Sequence, residues 1–77
     1  MVILAVGGVH PVVQAEWRDA LVEIERGTIH LELSDGHWHR VTSGDVLWLH
    51  GLPVRALHNR GPVVAVVVAL RRRHPPR

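Results

Sequence analysis

The sequence predicts an all-β fold of about eight short strands, and three observations lead to it. Turn signals built from Gly, Pro and Asp or Asn cut the 77-residue chain at intervals of about 8–12 residues, the spacing of strands in a sandwich or barrel. No segment sustains the apolar period of a helix. Two stretches, Ala20–Arg26 and Thr28–Leu33, alternate residue by residue, which sends successive side chains to opposite faces of a sheet.

In chain order, Val2–Val6 is the first strand, closed by Gly7-Gly8. His10–Gln14 is the second. In Ala20–Arg26, Ala20, Val22 and Ile24 share one face, and Leu21, Glu23 and Glu25 share the other. The two acids mark that second face as partly wet. Gly27 breaks the strand. Thr28–Leu33 then places Ile29, Leu31 and Leu33 inward, with His30 and Glu32 outward. Asp35-Gly36 is the strongest hairpin signal, because both residues tolerate the positive φ of a tight primed turn. His37–Val41, Val46–His50, Val54–His58 and Val63–Leu70 complete the set. The last strand, VVAVVVAL, is apolar on both faces and needs cover on both.

Residues 1–70 form one domain, and 71–77, RRRHPPR, form a basic tail outside it. A chain this short buries only about 60% of the surface that its unfolded form exposes, so a partner subunit would add stability. Cysteine is absent, which excludes disulfides and thiolate metal sites. The apolar run Val63–Leu70 has eight residues, against about 20 for a membrane-spanning helix. Met1–Val9 has neither a basic start nor a small-residue cleavage site, so no signal peptide is expected. A cytoplasmic location and no membrane contact follow as expectations. The net charge of +2 belongs to the tail: residues 1–70 carry five Arg against seven acids, and 71–77 carry four Arg. A basic tail can touch nucleic acid, but the plainer reading is a solvated terminus, and no nucleic-acid partner is expected.

Two blocks carry a family likeness. Gln14–Gly27, QAEWRDALVEIERG, resembles the first sequence motif of the cupin family, His-x-His followed by a Glu and, six residues later, a Gly. Gly44–Asn59, GDVLWLHGLPVRALHN, resembles the second motif without a gap, with Asn59 at the family's Asn position. The resemblance spans nearly all of residues 1–70 and rests on turns and strand pattern. It implies a double-stranded β-helix, a jelly-roll barrel, of the kind that includes epimerases, isomerases and dioxygenases.

The family's four metal-ligand positions fall here on Gln14, Glu16, Ala20 and Arg55. Ala20 has no donor atom, and a guanidinium is a permanent cation that repels a metal. The resemblance therefore implies a cupin without the family's metal, and no cofactor is expected. It also implies that Glu16 and Arg55 point into one cavity and pair there, with Gln14 alongside. These three residues are the candidate ligand-binding set, with Arg55 receiving a carboxylate or phosphate of a small molecule. The plain alternative is an ion pair that closes a vestigial site. A further alternative is an enzyme, an isomerase, cyclase or dioxygenase with an atypical site.

Other chemistry-bearing residues have bland readings. His37 and His39 share a strand face beside a turn, without a third ligand at metal spacing. His30 and His58 read as outer-face residues. Ser34 and Ser43 sit in turns, which leaves a serine hydrolase unsupported. Trp17 lies near the first block and reads as a plug of the barrel. Trp48, sharing a face with Val46, points outward, away from Leu47 and Leu49. An outward Trp beside an apolar last strand predicts a homodimer.

Overall fold

The computed structural model describes residues 1–17, 20–49 and 51–71, without the side chains of Gln14, Glu16 and Arg71. Eight strands run β1 Val2–Leu4, β2 Val9–Pro11, β3 Ala20–Arg26, β4 Thr28–Leu33, β5 Trp38–Thr42, β6 Val46–Trp48, β7 Val54–His58 and β8 Ala65–Arg71. One helical turn, α1 (Gln14–Trp17), lies between β2 and β3. The second strand is thus shorter than its sequence suggests, and its expected end at Gln14 is helical. The sixth strand stops at Trp48, with His50 outside the described residues.

The strands form two antiparallel four-stranded sheets, ordered β1-β8-β3-β6 and β2-β7-β4-β5. Apart from the β4–β5 hairpin, each link between successive strands passes from one sheet to the other. Glycines make several of these corners. Gly7, Gly27 and Gly44 all have positive φ, open to glycine without the Cβ penalty. At Gly27 space is also short: a Cβ would stand 3.0 Å from the Cα of Ala65 and from the Val64 carbonyl oxygen. The expected barrel does not close among the described residues. The chain turns a corner at each sheet edge instead of continuing the ladder, which leaves β1 and β6, and β2 and β5, as edges of an open sandwich.

The core lies between the sheets. Leu4, Val22, Ile24 and Val67 approach from one side, and Ile29, Leu31, Val41 and Leu57 from the other. Of these, Val22, Ile24, Ile29 and Leu31 are inward positions that alternation predicts for β3 and β4. Trp17 is buried among them, so it fills the interior as a plug would. Among the described residues, no helix is long and apolar enough to cross a membrane.

The Asp35-Gly36 hairpin differs from expectation in its geometry. Gly36 alone takes positive φ, and no non-glycine residue does. The Leu33 N–H donates to the His37 carbonyl at 2.9 Å, and the Gly36 N–H donates to Leu33 at 3.0 Å. The loop is therefore three residues long, with glycine at the left-handed position. Asp35 stays in ordinary φ, and its carboxylate accepts the His37 N–H at 2.9 Å.

Candidate functional site

Arg55 lies on β7, where β7 pairs with β4. Their register runs His30 to His58, Leu31 to Leu57 and Glu32 to Ala56, and then jumps to Leu33 opposite Val54. Arg55 is the extra residue of a β-bulge. A regular ladder would set Arg55 opposite Leu33, facing the core. The bulge gives that inward place to Val54, which is buried, and turns Arg55 to the outside, with 70% of its side chain exposed. The expected inward guanidinium is thus replaced by a valine, which the apolar core accommodates without an uncompensated charge.

Outside, Arg55 joins a polar group on the outer face of the β2-β7-β4-β5 sheet. Its Nη1 is 4.0 Å from Oε2 of Glu32. The other oxygen of Glu32 is 2.8 Å from Nε2 of His58, and both of these side chains are largely shielded from solvent. The His58 ring meets Trp38 edge-on, with centroids 4.7 Å apart. The Arg60 guanidinium lies 4.1 Å over the same indole, a cation–π contact. His30, the cross-strand neighbour of both His58 and Arg40, has a buried Nδ1 without a hydrogen-bond partner. The Glu32 carboxylate therefore meets one guanidinium and one imidazole, and the Trp38 indole joins His58 to Arg60 beside them.

Beside this group, Ser34, Gly51, Leu52, Pro53, Val54 and Arg55 line a depression of about 500 Å³, broadly open to solvent. Its lining is mostly apolar, and Arg55 is the charged residue among these six. The Ser34 N–H donates to the Pro53 carbonyl at 2.8 Å, which ties the end of β4 to the floor of the depression.

Of the expected binding set, the side chains of Gln14 and Glu16 lie outside the described residues. Their segment does approach Arg55: the Val12 N–H donates to the Arg55 carbonyl at 2.9 Å, two residues before α1. The carboxylate described next to the Arg55 guanidinium is that of Glu32. Ala20 is buried on β3, without a ligand atom. Among the described residues, no group of three or more His, Asp or Glu side chains could hold a metal.

The sequence placed Glu32, His30 and His58 on an outer face but did not bring them together. Alternation gives each strand's faces; it does not give the pairing register that sets Glu32 next to His58. The Trp38–Arg60 contact had no signal in spacing, because it joins β5 to the residues after β7.

Asn59 plays a framework role. It is the buried polar side chain among the described residues. Its Nδ2 donates to the carbonyls of Leu4 and Val63, both at 2.9 Å, and its Oδ1 accepts the Gly61 N–H at 3.0 Å. Its backbone N–H donates to Gly8, and its carbonyl accepts from Gly7. The chain matches no family model, no curated protein and no solved structure.

Proposed function

We propose that this chain is a cupin-type jelly roll without a metal centre, and that it binds a small anion at Arg55. The strand order supports the jelly-roll reading, since eight antiparallel strands shared by two sheets through corner crossings form that architecture. Asn59 supports it too, by tying the end of β1 to the loop after β7 from the position the second motif assigns to Asn. The metal-free reading rests on the donor set, in which Ala20 offers no atom and Arg55 offers a cation.

One observation carries the anion reading. The Arg55 guanidinium is exposed at the rim of an apolar depression, and its neighbouring carboxylate is already engaged by His58 at 2.8 Å. A guanidinium in that setting has donors to offer a carboxylate or phosphate in the two-pronged geometry that suits both groups. The depression then receives the apolar part of the ligand. An enzyme is the second reading, favoured by the imidazole of His58 held by Glu32, an arrangement suited to a general base.

Citrate and inorganic phosphate serve as probes in thermal-shift titrations. Both raise the melting temperature of the wild-type chain and of a chain lacking residues 72–77, and Arg55→Ala weakens the apparent affinity at least tenfold. Equal shifts in Arg55→Ala and wild type would remove Arg55 from the site, and loss of the shift on tail deletion would assign it to the tail. Elemental mass spectrometry on tag-free protein tests the metal-free part. A stoichiometric metal that survives mild chelation and is lost in Glu16→Ala would overturn it.

A further inference from the structure

Glu32 is held in place beside the Arg55 guanidinium. Its Oε1 is 2.8 Å from Nε2 of His58, and the His58 ring is itself braced edge-on by Trp38. Its Oε2 lies 4.0 Å from Nη1 of Arg55. A charge-assisted hydrogen bond between such groups measures about 2.7–2.9 Å, so this carboxylate leaves the Arg55 donors to a ligand. A fixed negative charge thus stands behind an available guanidinium.

That charge bears on which anions the site accepts. A ligand oxygen on the open side of the guanidinium lies on the order of 7 Å from Glu32, inside the Debye length of about 8 Å at physiological ionic strength. The repulsion is therefore felt, and it scales with the charge of the ligand. Arg55 offers one positive charge. A second negative charge finds no further cation among the six residues that line the depression. The other guanidinia of this face are placed elsewhere, Arg40 opposite His30 and Arg60 over Trp38. Away from Arg55 the lining offers apolar surface: Leu52 is 38% exposed, and Pro53 beside it is exposed too. The volume of about 500 Å³ lies within the range of small-ligand sites.

Resting on the anion reading of Arg55, we propose that the ligand is a singly charged carboxylate on an apolar body, and that Glu32 is the specificity residue that disfavours doubly charged anions. Inorganic phosphate and citrate, which lack an apolar body, are then weaker ligands of the same site. NMR titration of the full chain with acetate, butyrate, hexanoate and hexyl phosphate tests this at about pH 8, where the phosphate monoester is a dianion because its second ionisation lies near 6. Affinity for the carboxylates should rise about two- to fourfold per added methylene, the range for partial to full burial, and Leu52→Ser should flatten the rise. Glu32→Gln keeps the shape and removes the charge. Because the repulsion is proportional to ligand charge, its gain for hexyl phosphate should be about the square of its gain for hexanoate, about tenfold against about threefold. Equal gains, or none, would overturn the role of Glu32. Equal affinities for acetate and hexanoate would overturn the apolar body, and if Arg55→Ala still weakened that binding, the anion reading itself would stand. Binding of every probe that is indifferent to Arg55→Ala would remove both. The amide spectrum of each variant without ligand reports its fold, and the carboxylate series in the wild type needs no substitution.

Discussion

Asn59 shows what one side chain contributes to so small a sandwich. It satisfies the carbonyls of Leu4 and Val63 and the N–H of Gly61, with the bond to Leu4 buried and the other two partly so. Replacing it with Ala leaves those groups without partners, at a cost of about 2–3 kcal/mol. Urea unfolding of Asn59→Ala should show a loss of that size; a change below about 0.5 kcal/mol, the ordinary level for surface sites, would mean water replaces the amide. The sequence draws attention to the residue only through a resemblance, and its framework role was not legible, because nothing in the sequence reveals which carbonyls will surround it. Asp35 is a smaller case. The His37 N–H holds its carboxyl below its ordinary value of 3.8, with the His37 ring adding to the effect. A depressed folded-state value gives a stabilising contribution that is present above the unfolded value and is lost as pH falls through the folded one. The Asp35 carboxyl should therefore titrate below 3.8 by NMR, with the hairpin loosening on the acid side of that value, and Asp35→Asn should remove this component of the pH dependence. A titration at or above 3.8 would contradict the hydrogen bond.

At the scale of elements, β3, β4 and β7 have the bounds their sequences suggest, for a physical reason. Each alternates cleanly or ends on a strong turn residue, so the pattern and the boundary agree. β2 is different. His10–Gln14 reads as extended because Pro11 disfavours helix in the residue before it, but that restriction ends at His10, and the chain forms one helical turn from Gln14. The corner at Gly27 has the sharpest requirement. Its φ of +82° suits glycine, and a Cβ would press on the backbone of Val64 and Ala65. Gly27→Ala should destabilise the fold by about 2 kcal/mol or more, with strain and contact adding. Gly36→Ala meets nothing within 4 Å, so it should pay for the φ strain alone and cost less. Denaturant midpoints of the two variants check the ordering, and reversal would show that the Gly27 corner relaxes freely.

Across the whole molecule, the fold class was legible, whereas the arrangement of the candidate site was only partly so. Eight turn-bounded segments define strands, but partners are chosen by contacts distant in sequence, and those decide which polar residues meet. The two outer faces also differ in a way that composition hides: one is mostly apolar, and the other carries Arg55 beside Glu32, Arg40 opposite His30 and Arg60 stacked on Trp38. A 77-residue chain has a stability of about 4–12 kcal/mol by the usual per-residue scale. If the homodimer expected from the sequence forms, association adds to that total, and the melting temperature should rise with protein concentration. Scans from about 5 to about 200 micromolar, a range bracketing ordinary dimer affinities, check this. A flat melting temperature would separate folding from association.

The bulge at Arg55 has one more consequence, concerning chain length. The ladder on either side of it stays in register if residue 55 is absent, because Glu32 faces Ala56 and Leu33 faces Val54 directly. Deleting Arg55 should therefore give a folded chain with a straighter β7, at the loss of the hydrogen bond from Val12. The strand carries one residue more than its pairing uses, and that surplus residue is the one turned toward solution.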